Sequence, residues 1–100
     1  MKTITVQELK ALIDQNAEFQ LVDVRESFEF EEVNLGGQLI PLGEIPLRYA
    51  EISKDKQVIM QCRSGARSAN AVSYLEQNYG FTNLYNLEGG ILAWLNVFGE

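Results

Sequence analysis

Apolar and polar positions alternate along the chain in blocks whose lengths and spacings predict successive strands and helices. Thr3-Ile4-Thr5-Val6 is a short β-rich start, and Thr5 is placed to cap QELKALIDQ, where Leu9, Leu12 and Ile13 recur at helical spacing. FQLVDV, from Phe19 to Val24, is an apolar run of strand length. Ser27 is expected to cap a short helix over FEFEEV, with Phe28 and Val33 as its apolar contacts, before Gly36-Gly37 breaks it. QLIPL then reads as a short edge strand ended by Pro41, and IPLRYAEI as a helix with Pro46 near its first turn. QVIMQC is the next strand. RSANAVSYLEQNYG is a helix with Val72 and Leu75 on its apolar face and Gly80 at its stop. LYNL is a last strand, and GGILAWLNVF a closing helix. Strands alternating with helices predict an α/β domain with a mostly parallel sheet, whose sites fall at the carboxyl ends of the strands.

Length and composition narrow what such a domain does. With 100 residues, no internal repeat and no linker-like stretch, residues 1–100 read as one domain. The chain is 46% hydrophobic and 22% charged, which suits a soluble protein with an ordinary core. Its uncharged stretches, such as Ala69 to Leu75, are too short for a membrane span. The opening MKTITVQELK has no apolar signal-peptide core, so a cytoplasmic protein is expected. A net charge of −6 argues against nucleic acid as a partner. One cysteine and no histidine exclude an internal disulfide, a multidentate Cys/His metal site and a His-based triad.

That cysteine, Cys62, falls where an apolar strand gives way to the helix expected to start near Ser68. A cysteine after an apolar run is commonly core. Here, however, Arg63, Ser64, Gly65, Ala66, Arg67 and Ser68 follow, and none carries a large apolar side chain. Gly65 permits a tight path on which successive amides point at one anion, and the helix N-terminus adds partial positive charge. Arg63 and Arg67 add full charges. Each of these favours a thiolate, so the segment reads as a cradle for a negatively charged sulfur.

CRSGARS after an apolar strand, with LVDVRESFEF upstream and NLEGGILAW downstream, resembles a single rhodanese-like (sulfurtransferase) domain over essentially the whole chain. The segment NLGGQLIPLGEIP is similar to its counterpart in rhodanese-like domains fused to E1-type adenylyltransferases. The resemblance implies a three-layer fold, with a five-stranded mostly parallel sheet in strand order 3-2-4-5-1 and helices on both faces. Asp23, Arg25 and the Cys62 loop would then share one sheet edge.

The same resemblance implies sulfur transfer through a Cys62 persulfide. A small anionic donor such as thiosulfate, or a persulfide, would supply the sulfur to an external thiol, cyanide or protein acceptor. No metal or organic cofactor is expected. Residues 63–68 would form the binding loop, with Ser64 and Ser68 as hydrogen-bond donors or Ser68 as a helix cap. Asp23, Arg25 and Glu29 would support the loop, Arg25 pairing with Glu29 four residues on. As acid–base candidates Glu29, Glu31 and Glu32 lack a partner motif and read as a solvated helix face, and Trp94 reads as core or pocket wall. Related phosphatases resemble Cys-x5-Arg, whereas Cys62 and Arg67 enclose four residues, a smaller ring. A non-catalytic docking module for a sulfur carrier is the alternative reading.

Overall fold

The computed structural model describes residues 1–99. Five strands form one sheet: β1 (Thr3–Ile4), β2 (Phe19–Asp23), β3 (Gln38–Leu39), β4 (Gln57–Gln61) and β5 (Leu84–Leu87). Their order is β1-β5-β4-β2-β3, and every neighbouring pair is parallel. This is the order the resemblance implies. The helices are α1 (Val6–Asp14), α2 (Ser27–Glu32), α3 (Ile45–Arg48), α4 (Ala66–Tyr79) and α5 (Gly90–Phe98).

Alternation along the central strands sends successive side chains to opposite faces, which explains why β2 and β4 are apolar on both sides. Val22, Val58, Met60 and Cys62 pack on one face with Ala71, Val72 and Leu75 of α4 and Ile45 of α3. Ile59 and Leu87 pack on the other with Val6, Leu9 and Leu12 of α1 and Ala93 and Trp94 of α5. Thr5 caps α1 as expected: its side chain accepts the Glu8 amide while the Glu8 carboxylate accepts the Thr5 amide. Val6, grouped above with the first strand, is instead the first residue of this helix.

Three local expectations need correction. The segment 45–52 does not form one helix: α3 is only four residues long and passes into a 3₁₀ turn at Tyr49–Glu51. Ser27 is the first residue of α2 and not its cap. Glu26 holds the extended cap position, and its amide donates to the Glu29 carboxylate at 3.0 Å. Phe28 makes no core contact and is 70% exposed. Helical residues are turned about 100° from one another, so a helix that aims Glu29 at the cysteine loop turns Phe28 away from it.

Gln61, the last residue of β4, is 1% exposed, and neither polar atom of its side chain has a hydrogen-bond partner among the described residues. By alternation it lies on the α1/α5 face, in register with Asp23 of β2. A buried amide without partners carries its desolvation cost uncompensated. Gln61→Met is therefore expected to stabilise the protein by ~1 kcal/mol and raise its melting temperature by about 4–8 °C in a thermal unfolding scan. A lowered melting temperature would show that the amide has a role in holding the sheet edge.

Candidate active site

The carboxyl ends of β2, β4 and β5 meet where Cys62 leaves the sheet. Asp23 and Gln61 are direct partners across β2 and β4, so the expected placement of Asp23 and Arg25 beside the cysteine loop is found. Cys62 is 1% exposed, with its backbone at the end of a buried strand. From there the chain curls tightly around the sulfur before entering α4.

Glycine makes the curl possible. Gly65 has a φ of 107°, in the left-handed region that an L side chain resists, and it caps α4. Its amide donates to Cys62 Sγ at 3.1 Å. The Ser68 amide and hydroxyl donate to the same atom at 3.4 and 3.3 Å. The helix thus begins two residues before Ser68, so Ser68 is not an N-cap. It lies in the first turn, and its hydroxyl faces the sulfur because the loop wraps inward.

These donors control the thiol. Burial pushes the Cys62 pKa up, but the Ser68 hydroxyl and amide, together with the Gly65 and Ser64 amides, outweigh it and hold the thiol below its ordinary value. The influences that lower it are therefore hydrogen-bond donors of the loop, where the sequence alone pointed also to the arginine charges.

Asn86 was not anticipated. Its Nδ2 donates to the Gly65 carbonyl at 3.1 Å, and its Oδ1 lies within hydrogen-bond reach of the Ser68 hydroxyl, whose single proton serves either Oδ1 or Cys62 Sγ. It thereby ties both cradle residues to β5. The available signal was an amide inside the otherwise apolar strand LYNL, a residue type depleted in strands.

The first residues of α5 hold the other side of the loop. Ile91 donates its amide to the Cys62 carbonyl at 2.9 Å, and Leu92 donates to the Arg63 carbonyl at 3.1 Å. This close approach requires glycine at position 90. A Cβ there would lie 2.4 Å from the Cys62 oxygen and 2.5 Å from the Arg63 oxygen, both rigid backbone, and φ is +59°. Gly90→Ala should cost about 1–3 kcal/mol of stability, read by denaturant titration, because neither contact has a flexible end that yields. An unchanged unfolding midpoint would mean that α5 shifts freely over the loop.

The charged supports pair differently from expectation. Arg25 is buried against Asp23, not paired with the Glu29 carboxylate. Asp23 Oδ1 accepts from the Arg25 amide and Nε, both at 3.0 Å, and Oδ2 accepts from Nη2 at 2.8 Å. Arg25 also donates to the backbone carbonyls of Glu29 at 3.4 Å and Val33 at 2.8 Å, fastening α2 to the sheet. The Glu29 carboxylate instead takes both terminal nitrogens of Arg67, at 2.8 and 2.9 Å. It is not part of a solvated face.

The Arg67 side-chain hydrogen bond pulls the Glu29 pKa down from 4.5 to about 2. A depressed carboxyl pKa stabilises the fold above its ordinary value near 4.5 and loses that contribution as pH falls toward 2. The pair is thus intact at neutral pH.

Arg63, Ser64 and Ala66 are exposed. Arg63 lines a cleft of about 170 Å³ with Arg25, Glu29, Glu32, Ile91 and Leu92. Among the described residues, no group of three or more His, Cys, Asp or Glu side chains is arranged to hold a metal, and no helix is long and apolar enough to cross a membrane.

A parallel five-stranded α/β sheet carrying one cysteine in a ring of amide donors defines the class of this protein. The rhodanese-like domain model matches residues 5–97, and the chain belongs to that family. A protein of Allochromatium vinosum named "Sulfurtransferase" is 45% identical over 75 residues, which are 74% of this chain and 69% of that protein. Mycobacterium tuberculosis has a relative named "Probable adenylyltransferase/sulfurtransferase MoeZ", 36% identical over 95 residues. That match covers 92% of this chain and 24% of the relative. Among solved structures, a rhodanese-like domain protein from Staphylococcus aureus superposes with a TM-score of 0.85 at 38% identity, covering 94% of this chain and 91% of the other.

Proposed function

We propose that this protein is a sulfurtransferase that carries a sulfane sulfur as a persulfide on Cys62. The observation that carries this reading is the convergence of the Gly65 amide and the Ser68 amide and hydroxyl on one buried sulfur. Such donors stabilise a thiolate, and they stabilise equally the negative outer sulfur that replaces it. The relatives named as sulfurtransferases support the same reading.

The Cys62 thiolate attacks the outer sulfur of thiosulfate or of a persulfide. A new S–S bond forms to Cys62. The donor's own S–S bond breaks, and its electron pair leaves on sulfite or on the donor thiolate. An external nucleophile then attacks the outer sulfur of the Cys62 persulfide, takes that sulfur away and returns Cys62 as thiolate. The transfer is covalent catalysis in two half-reactions. Cyanide serves as acceptor in an assay, and a thiol or a protein thiolate in the cell. With a single cysteine in the chain, no internal thiol resolves the persulfide, so an external acceptor is required.

Phosphate chemistry fits less well. An arginine that clamps phosphate must offer its guanidinium to the loop, and both terminal nitrogens of Arg67 are taken by Glu29. Incubation with a sulfane-sulfur donor and cyanide tests the proposal by the thiocyanate produced, and a generic aryl phosphate is the control. Thiocyanate formation above the protein-free rate, with no phosphate release, is the expected result. Phosphate release without thiocyanate would contradict it.

A further inference from the structure

We propose that Glu29, by occupying both terminal nitrogens of Arg67, sets the donor preference of this site in favour of a persulfide and against small dianions such as thiosulfate. The inference rests on the persulfide reading above and narrows its donor.

Two cations follow Cys62 in the loop, and they are not equivalent. Arg67 lies in the first turn of α4, directly before Ser68, whose amide and hydroxyl face the sulfur. Its charge and its terminal donors are nevertheless already committed to Glu29 through a bidentate pair. Arg25, the next cation, is buried against Asp23. Arg63 alone remains, on the exposed rim of the cleft.

Glu32 shares that cleft, exposed and with no cation within salt-bridge distance among the described residues. A dianion must leave water to reach a sulfur that is 1% exposed, and the Arg67 guanidinium is already paired with Glu29. A persulfide brings at most one negative charge at its reacting end, which the loop amides receive. Its remaining body stays outside. The same ion pair that orders the loop therefore discriminates between donors.

Glu29→Gln keeps the shape of the side chain and removes its charge. The measurement is the rate of sulfur loading onto Cys62, read by intact mass, with thiosulfate and separately with cysteine persulfide. The ratio of the loading rate from thiosulfate to that from cysteine persulfide is expected to rise at least ~10-fold as Arg67 becomes available to the dianion. A loss with both donors, as a merely structural role for Glu29 would give, overturns the inference. So does an equal change with both.

Salt dependence in the unmodified protein is a second test that does not depend on the variant folding. The chain carries a net charge of −6, and its repulsion of a dianion is screened by salt, so loading from thiosulfate should quicken between about 0.05 and 0.5 M sodium chloride. A rate that falls with salt would reveal an open cationic clamp and contradict the proposal. Absence of loading from either donor in either protein would instead refute the persulfide reading itself.

Discussion

Cys62→Ser is expected to fold and to lose sulfur transfer by at least ~10³-fold, to the protein-free background in a thiocyanate assay. The substitution exchanges one atom in a site whose other parts remain. The Gly65 amide and the Ser68 amide and hydroxyl still find an acceptor at the same position, so none is orphaned. Cys62 also packs in the core cluster with Met60 and Ala71. A slightly smaller side chain there costs about 1–2 kcal/mol, well short of unfolding a domain of this size. The chemical loss is of another order. A serine hydroxyl stays protonated at neutral pH, and it forms no S–S bond for an acceptor to break. If the variant kept more than a tenth of the activity, the sulfur would be travelling by a route that does not pass through position 62.

The largest effect on stability is expected at Asp23. Asp23 and Arg25 are 1% and 3% exposed, and the carboxylate takes the backbone amide as well as the guanidinium of Arg25. Asp23→Ala leaves a buried cation whose remaining partners are two carbonyls. Removing one member of a buried pair costs about 3–5 kcal/mol, because the other charge stays out of water without compensation. For a chain of this length that lowers the melting temperature by more than about 12 °C, measurable by circular dichroism. A loss below about 1 kcal/mol would mean that Arg25 swings out to solvent at little cost, as surface pairs do. In that case α2 would not be fastened to β2 through this contact, and the Glu29 carboxylate would be held by Arg67 and the Glu26 amide.

These two residues illustrate what a linear reading captures and what it misses. The strand runs at 19–24 and 57–62 were visible because burial on both faces leaves continuous apolar stretches. The Thr5 cap was visible because its partner, Glu8, is three residues away. The cradle around Cys62 was also largely readable, since glycine and small polar residues follow the sulfur directly. Partner choice over longer distance was not. Arg25 and Glu29 are four residues apart and invited a helical pair, yet Arg25 turns back onto Asp23 two residues before it, and Arg67 reached Glu29 across 38 positions. Asn86 was hidden for the same reason, as its role exists only once β5 lies beside the loop. The start of α4 was misjudged by two residues because Ser68 is a good cap by type. The sulfur recruited its hydroxyl instead.

The central claim is that Cys62 itself holds the transferred sulfur, and it is tested most directly by intact mass. Reduced protein is incubated with a persulfide donor or thiosulfate, desalted and weighed beside Cys62→Ser. A gain of one sulfur on the unmodified protein only, removed by cyanide as thiocyanate appears, is the predicted result. No gain with any donor, from a folded protein with its thiol intact, would contradict the account and leave a domain that binds partners without carrying sulfur.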